Sequence, residues 1–596
     1  MWARWLLKEN KQLPTTTVWF IFNYSNEETG SKFTGRKPVV RRLLQAGIAL
    51  VMPALAFAQT PPDAGALQRE TERDLRDRLP AAVPAAPPPP MKQADKGATV
   101  TVKEFHIEGA TLVPATELSA LLADLVGQPL TLAELEHAAQ RLAVHYRAKG
   151  WLVRVYLPAQ EILDGKVRIV VVEGKLSGIK VENNAARADA GFAARVATGG
   201  LIAGKPLAAG NLERGLLLAN DLPGIRTTGI LEPGDAAGET RLRLKVEDGP
   251  FVAGDAALAN QGARATCLAQ LAAGLVVNPG GGNQWALRAI ASQNLSMLRA
   301  NYALPLGANG LRANLYISDL RYKLGGDFAA LDASGNAQTW GAALAWPRLR
   351  SATDNFNLGA ALEARRYADD GLGAALRRKT TDALTVSATG DKIDGLGGGG
   401  LTQYGVSLVS GKLDLGGVPT DLAADQAGPL ANGSYTKLAA NASRLQRLPA
   451  DFSFYAALAA QFAGKNLDSS EKFALGGPNG VRAYPVNEAS GDEGWLLNLE
   501  LRKELGNGWN ALALLDAGEV RQHCNEWTGW ANSGTHNRYG LAGGGFGLGW
   551  NRPGNIALQM TLATPLGGNA GQTITGRNQD GSARATRGWL RVTKYF

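Results

Sequence analysis

Few side chains in this 596-residue sequence stand at spacings that do chemistry. His137 and His145 lie eight apart on one predicted helix. No third ligand accompanies them, and a zinc centre needs three or four. Gly543-Gly-Gly-Phe-Gly-Leu-Gly549 echoes a phosphate-cradling loop in composition. It lacks a strand–loop–helix setting and reads as a strand in which glycine permits close packing. No G-x-x-x-x-G-K-[ST] motif occurs, and no nucleophile, base and acid stand at a recognisable spacing. Cys267 and Cys524 are the only cysteines, too few for a cysteine-built zinc site. Their wide separation argues against a disulfide even in an oxidising compartment. The expectation is a non-enzyme with no metal and no cofactor, whose work is binding or passage.

The elements that would carry such work are unusual in composition. Glycine makes up 73 of 596 residues, against about 7% in ordinary chains. Hydrophobic residues reach 45% and charged residues only 19%, which excludes a long disordered chain. The net charge of +9 is misleading. Residues 1–58 hold eight basic and three acidic residues, so +5 of the +9 lies there and only +4 remains for the rest. No concentrated basic face is implied, and nucleic acid is not an expected partner.

Residues 1–58 read as a leader and signal peptide. Basic residues Arg36, Lys37, Arg41 and Arg42 precede an apolar run from Leu43 to Leu55, which ends at Ala56-Phe57-Ala58. The run is too short to span a bilayer as a helix, which takes about 20 residues. After Ala58 no stretch approaches 18 continuous apolar residues. A barrel of short alternating strands stays open.

A polar helix is predicted over 63–79 within a segment 59–79. Asp63 caps it, Pro80 stops it, and Glu72–Arg76 and Asp74–Arg78 are favourable i,i+4 pairs. Leu67, Leu75 and Leu79 form one thin apolar stripe, as suits a helix in a wet channel. Residues 80–98 form a linker that opens on the Pro-rich run PAAVPAAPPPP. An internal repeat follows, Gly127-Gln-Pro-Leu-Thr-Leu-Ala-Glu-Leu-Glu136 recurring as Gly204-Lys-Pro-Leu-Ala-Ala-Gly-Asn-Leu-Glu213. Each copy reads β-α-α-β-β, giving two small α+β domains at 99–175 and 176–249. The first has strands near 101–109, 151–157 and 166–174, and helices near 114–125 and 131–149, with Thr131 and Glu134 as a capping box. The second has strands near 176–183, 225–231 and 240–248 and a helix near 210–220.

From 250 to 596 the texture is alternation of period two, as in Leu311, Ala313, Leu315 and Ile317 against Arg312, Asn314, Tyr316 and Ser318. The stretches 356–365 and 497–502 alternate likewise. At about 10 residues per membrane strand plus turns, the segment accommodates about 16 strands of an antiparallel transmembrane barrel. Short turns such as 305–310 are expected to alternate with longer Gly/Asp-rich stretches such as 390–400. The final strand ends on Phe596, although Lys594 falls on the same face.

The stretch Lys465-Asn-Leu-Asp-Ser-Ser-Glu-Lys-Phe-Ala-Leu-Gly-Gly-Pro-Asn-Gly-Val-Arg-Ala-Tyr484 resembles the TpsB transporters of two-partner secretion, the hemolysin activators and hemagglutinin secretion proteins of the POTRA-plus-barrel superfamily. The resemblance implies an outer-membrane barrel with an N-terminal plug helix, two periplasmic POTRA domains (Asp221-Leu-Pro-Gly224 in the second) and a loop near 471–495 folded into the lumen. The family's V-R-G-Y loop motif falls on Val481, Arg482, Ala483 and Tyr484, approached through Glu471, Phe473, Gly476 and Gly477. Its F-x-D-x-G wall motif falls on Leu514, Asp516 and Gly518. Arg482 is thereby implied to pair with Asp516. Ala483 and Leu514 depart from the family's Gly and Phe; if that Gly needs a positive φ, Ala strains the turn.

The function implied is export of one large β-helical adhesin or hemolysin-type exoprotein, with possible activation of it, from periplasm to cell surface without ATP. The partner would dock on a POTRA by strand addition, with 151–157 and 166–174 as candidate strands. It would then thread the lumen of a monomeric barrel set in outer-membrane lipid. The alternative is a barrel-assembly or autotransporter-assembly factor.

Overall fold

The computed structural model describes residues 61–74, 99–162, 164–236, 238–530, 536–573, 575–583 and 585–596. The signal peptide and linker read from the sequence lie outside these residues, as do 75–79 of the predicted helix with Leu75, Leu79 and the Arg76 and Arg78 pairings.

The first α+β unit packs a three-stranded sheet on the helices Ala115–Ala120 and Leu132–Ala148. Thr131 and Glu134 cap the longer helix reciprocally, a device worth about 1 kcal/mol. One helix face buries Leu135, Ala138, Leu142 and Tyr146 against Val167, Ile169 and Val171 of the sheet. Glu173 ties the strand end to the opening loop. Its carboxylate accepts from the Thr111 and Leu112 amides at 2.7 Å each and from the Tyr146 hydroxyl at 3.1 Å. Burial alone pushes that carboxyl up, and these hydrogen bonds overcome it, holding it below its usual range.

The sheet order corrects one expectation. Lys166–Glu173 is the central strand, paired in parallel with Glu104–Glu108 and antiparallel with Val153–Tyr156. It has no free edge, so 166–174 is not a docking edge; Val153–Tyr156 is at the border. The second unit repeats the plan, with Glu239–Asp248 central between Lys175–Asn183 and Ile225–Pro233. A helix Ala190–Thr198 joins Ala209–Asn220 on its inner face. Its Asp221-Leu-Pro-Gly224 corner seats the unit on the barrel rim. Both Asp221 oxygens accept from Arg350 at 2.8 Å. Gly224 stands at φ +75° against Asn278, where a side chain has neither the backbone freedom nor the space.

Sixteen antiparallel strands, from Val252–Ala259 to Arg587–Tyr595, close into a barrel, the last pairing with the first. Connections such as 278–283, 351–353 and 507–508 at the end nearest the α+β units are short. Those at the far end, including 415–432, 464–492, 522–537 and 566–586, are long. That asymmetry is the periplasmic and extracellular asymmetry of outer-membrane barrels. Leu315, Ile317, Leu358, Leu362 and Leu501 are exposed on the outside, toward lipid, while their polar neighbours face the lumen. No helix among the described residues is long and apolar enough to cross a membrane.

Two details differ from the sequence reading. Residues 390–394 complete the strand Ala374–Asp394, and only the short periplasmic turn 395–399 follows, so 390–400 is not a long loop. Gly390 belongs in the strand because the Tyr404 ring of the next strand occupies its side-chain space. Lys594 faces outward with Phe596, but it lies at the periplasmic rim and its ammonium reaches Asn555 in the neighbouring turn.

Candidate functional site

The site is built where a loop, a helix and the inner wall meet. Between the strands Phe452–Ala463 and Glu493–Gly506 the chain folds into the lumen. Its descent is pinned by charge. Glu471 is buried and accepts from Arg365 at 2.8 Å and Lys437 at 2.7 Å, while its backbone carbonyl accepts from Gln461 at 3.0 Å. Phe473 and Ala474 pair with Gly491 and Ser490, returning the chain on itself. The tip then closes tightly. The Gly476 amide donates to the Glu488 carbonyl at 2.9 Å, and that of Val481 to the Leu475 carbonyl at 2.8 Å. Gly477 sits at φ +115°, a conformation that side chains avoid.

At the tip, Arg482 meets two carboxylates. Its Nε and Nη2 donate to the two oxygens of Asp516 at 2.9 and 2.8 Å, and its backbone amide adds a third bond to Asp516 at 3.0 Å. Nη1 donates to Glu500 at 2.5 Å. Asp516 is wholly buried and also accepts from Asn498 at 2.7 Å. Glu500 is shared with Arg502 at 2.7 Å. A planar guanidinium suits this geometry, since its fork reaches one carboxylate bidentately and a second at its free edge. Strand parity supplies the carboxylates. Asn498 and Asp516 are register partners, and Glu500 stands two residues further along the same inner face.

Val481, Ala483 and Tyr484 are buried around the guanidinium with Leu475, Leu496, Leu514 and Val520. Gly518 lies beneath Leu475, whose side chain fills the space a Cβ would take. Ala483 is not among the residues of positive φ, so the strain anticipated for it is absent. Its methyl group instead points at Gly543 on the strand Arg538–Arg552, where an added Cβ would lie 2.5 Å away. Trp589 of the closing strand donates its indole N–H to the Arg482 carbonyl at 2.7 Å. Gly543→Val is expected to leave the barrel inserted, since valine suits a strand. It should displace the loop tip, read as faster protease cleavage within 475–490 on whole cells. Unchanged cleavage counts against the packing argument.

The third component is the helix Ala64–Asp74, which lies in the lumen against the strands Arg312–Lys323, Ser334–Arg350 and Asp354–Gly371. Its apolar stripe is carried by Ala64 and Leu67, buried among Ile290, Met297 and Leu320 of the wall. Its polar face meets the in-folded loop. Arg69 donates to the Ser469 and Lys472 carbonyls at 2.6 and 3.0 Å and to Asn487 at 2.9 Å. Asp63 caps the helix through the Ala66 amide at 2.9 Å and also accepts from Arg377 at 2.6 Å, Lys379 at 3.1 Å and Ser469 at 2.6 Å. Lys379 is shared with Asp468 of the loop at 2.7 Å. Helix, loop and wall are thus tied through one buried cation.

Sequence reasoning did not single out Glu500, Trp589 or the Asp63–Lys379–Asp468 tie, whereas Gly543, expected as a strand glycine that permits close packing, is one, with Ala483 packed against it. Glu500 carried a signal, its place on the polar face of an alternating strand. The tie joins residues more than 300 positions apart and carried none. Cys267 and Cys524 are both free.

A closed sixteen-stranded barrel, tandem periplasmic α+β units and a lumen holding both a helix and an in-folded loop define an outer-membrane protein-transport barrel. The family of haemolysin secretion/activation proteins ShlB/FhaC/HecB matches residues 238–549, and the ShlB-type POTRA domain matches residues 100–174. The chain belongs to that family. The heme/hemopexin transporter protein HuxB of Haemophilus influenzae (strain 86-028NP) is 28% identical over 560 residues, covering 90% of this chain and 97% of that protein. The outer membrane transporter CdiB of Escherichia coli is 26% identical over 565 residues, covering 89% and 91%. Among solved structures, CdiB from Escherichia coli superposes with a TM-score of 0.62 at 20% identity, over 95% of this chain and all of that one. CdiB from Acinetobacter baumannii gives 0.58 at 14% identity, over 92% and 99%. The protein is an outer-membrane transporter of a two-partner secretion system, with its POTRA domains in the periplasm.

Proposed function

We propose that this transporter exports one large TpsA-like exoprotein, an adhesin or hemolysin in type, through its own lumen as a single barrel and without catalysis or ATP. The observation that carries the reading is the lumen itself. A polar inner wall encloses a helix held by ionic and polar side-chain contacts at Asp63, Gln68, Arg69 and Arg73 rather than by a broad apolar face. Such contacts exchange with water at small net cost, so the helix is a removable stopper rather than a core element. The partner would be captured by strand addition at a sheet border, for which Val153–Tyr156 qualifies and Lys166–Glu173 does not. The residues Val481, Arg482, Ala483 and Tyr484, with Asp516 and Gly518, would hold the in-folded loop in its transport-competent position. The Haemophilus influenzae relatives are heme/hemopexin transporter proteins, so a heme- or hemopexin-handling exoprotein is the first cargo to test. Deleting the gene should remove one large protein from the culture medium and leave other outer-membrane barrels at normal abundance. A general loss of barrels would overturn the reading.

A further inference from the structure

The outer wall of the barrel carries a groove that membrane crossing alone does not require. Two adjacent register rows run across the strands between Gln284 and Asp414. One is Trp285, Tyr302, Leu315, Ala342, Leu362 and Leu384. The other passes through Ala300, Trp340, Ala364, Asp382 and Lys412. All of these side chains are on the lipid-facing parity. Small residues form the floor and large ones the rims of an open hollow of about 870 Å³, which reaches as far as Asp382. That is the size of a small-molecule site rather than of a surface ripple. Trp285 and Tyr302 stack at 4.3 Å to close one end.

The rows climb. Trp285 is the second residue of its strand, just past the periplasmic turn 278–283. Lys412 is two residues from the extracellular end of its strand at Asp414. The groove therefore rises from the inner part of the membrane toward the outer leaflet, and charged side chains flank its upper end. Arg366 lies over the Trp340 ring at 5.2 Å. Lys412 and Asp382 face each other across neighbouring strands.

The surrounding outward cations are neutralised within the protein. Arg321 pairs with Asp319 at 2.9 Å, Lys323 with Asp332 at 2.9 Å, and Arg378 with Asp370 at 2.5 Å. Arg366 and Lys412 have no ion pair among the described residues. Charge on the lipid face of a barrel is costly, up to about 2–4 kcal/mol for Arg or Lys at mid-depth and less near the interface. Arg366 and Lys412, with only the Asp382 carboxylate between them, leave a net positive crown on an apolar groove and thus fit a ligand that supplies both anionic groups and hydrocarbon. From strand spacing the two backbones stand about 12 Å apart, close enough for both long side chains to reach one headgroup carrying two phosphates. Asp382 lies between them, placed to accept from headgroup hydroxyls.

We propose that this groove is a binding site for a phosphorylated, multi-acyl glycolipid of the outer leaflet, with acyl chain on the alanine floor and phosphates on Arg366 and Lys412. The site lies on the outside of the barrel, away from the lumen loop and helix.

The test uses the full-length transporter in mild detergent, with diphosphoryl lipid A and phosphatidylglycerol as separate probes, read by native mass spectrometry. Lipid A should be retained at least tenfold more than phosphatidylglycerol at equal concentration. Arg366→Ala with Lys412→Ala should cut its retention tenfold or more. Ala342→Trp, which fills the floor without touching a charge, should do the same, and it keeps the proposal testable if the double variant fails to fold. The heat-dependent gel shift of a folded barrel should persist in any variant scored. Equal retention of the two lipids, or retention unchanged by either variant, overturns the proposal.

Discussion

Arg482→Ala is expected to reduce export of the partner protein tenfold or more while the barrel still inserts and still shows its heat-dependent gel shift. The substitution strands buried charge. Asp516 is wholly buried and loses both of its guanidinium bonds, keeping only Asn498 and the backbone amide of residue 482. Glu500 retains Arg502. Breaking one partner of a buried ion pair costs about 3–5 kcal/mol, because the remaining charge is left in a dry place. At tenfold per 1.4 kcal/mol, that shifts the balance between docked and undocked loop by two orders of magnitude or more. Lysine at 482 keeps the charge but lacks the fork that reaches Asp516 twice and Glu500 once, so Arg482→Lys should fall between wild type and alanine. Asp516→Asn should resemble Arg482→Ala, since it removes the charge that the guanidinium faces. Undiminished partner in the medium of an Arg482→Ala strain would refute a functional role for the pair.

What could be read from the sequence follows the range of the forces involved. Period-two alternation is local, so Leu315 and Ile317 were assignable to an apolar face and Tyr316 to a polar one before any fold was known, while the contact of the apolar face with lipid needed the barrel. Strand ends were not, because they depend on neighbours. Gly390 reads as a loop residue in isolation and is a strand residue because Tyr404 fills the space beside it. Sheet order was invisible for the same reason. Nothing within Lys166–Glu173 says that it is flanked on both sides. The second POTRA helix Ala190–Thr198 is nine residues of mostly small side chains, too short to show a periodic stripe. At the site, Arg482 and Asp516 were reachable only through family resemblance, since 34 residues and a strand boundary separate them. The expected penalty for Ala483 rested on an assumed backbone conformation. The room its methyl group needs is left by Gly543 on the opposing wall.

Lys379→Met is expected to release the lumen helix, raising the single-channel conductance of the purified transporter in planar bilayers from mostly closed to mostly open. Lys379 is a wall residue that touches helix cap and loop together. Its ammonium reaches Asp63 at 3.1 Å, Asp468 at 2.7 and 2.9 Å and Ser469 at 3.1 Å, with its side chain fully buried. Methionine keeps much of the volume and removes the charge, leaving two buried carboxylates side by side. Arg377 still reaches Asp63 but is shared with Asp421 at 3.2 Å. The helix is otherwise held by hydrogen bonds to the loop and by a small apolar patch on the wall, so it yields before the loop, which is covalently held at both ends by barrel strands. A cost of about 3–5 kcal/mol again corresponds to two or more decades in the ratio of helix-out to helix-in. The direction has an internal control. Asp63→Asn added to Lys379→Met removes one of the repelling charges and should bring conductance back toward the closed level, which independent effects of the two substitutions would not do. Conductance of Lys379→Met indistinguishable from wild type would show that this cation does not hold the helix.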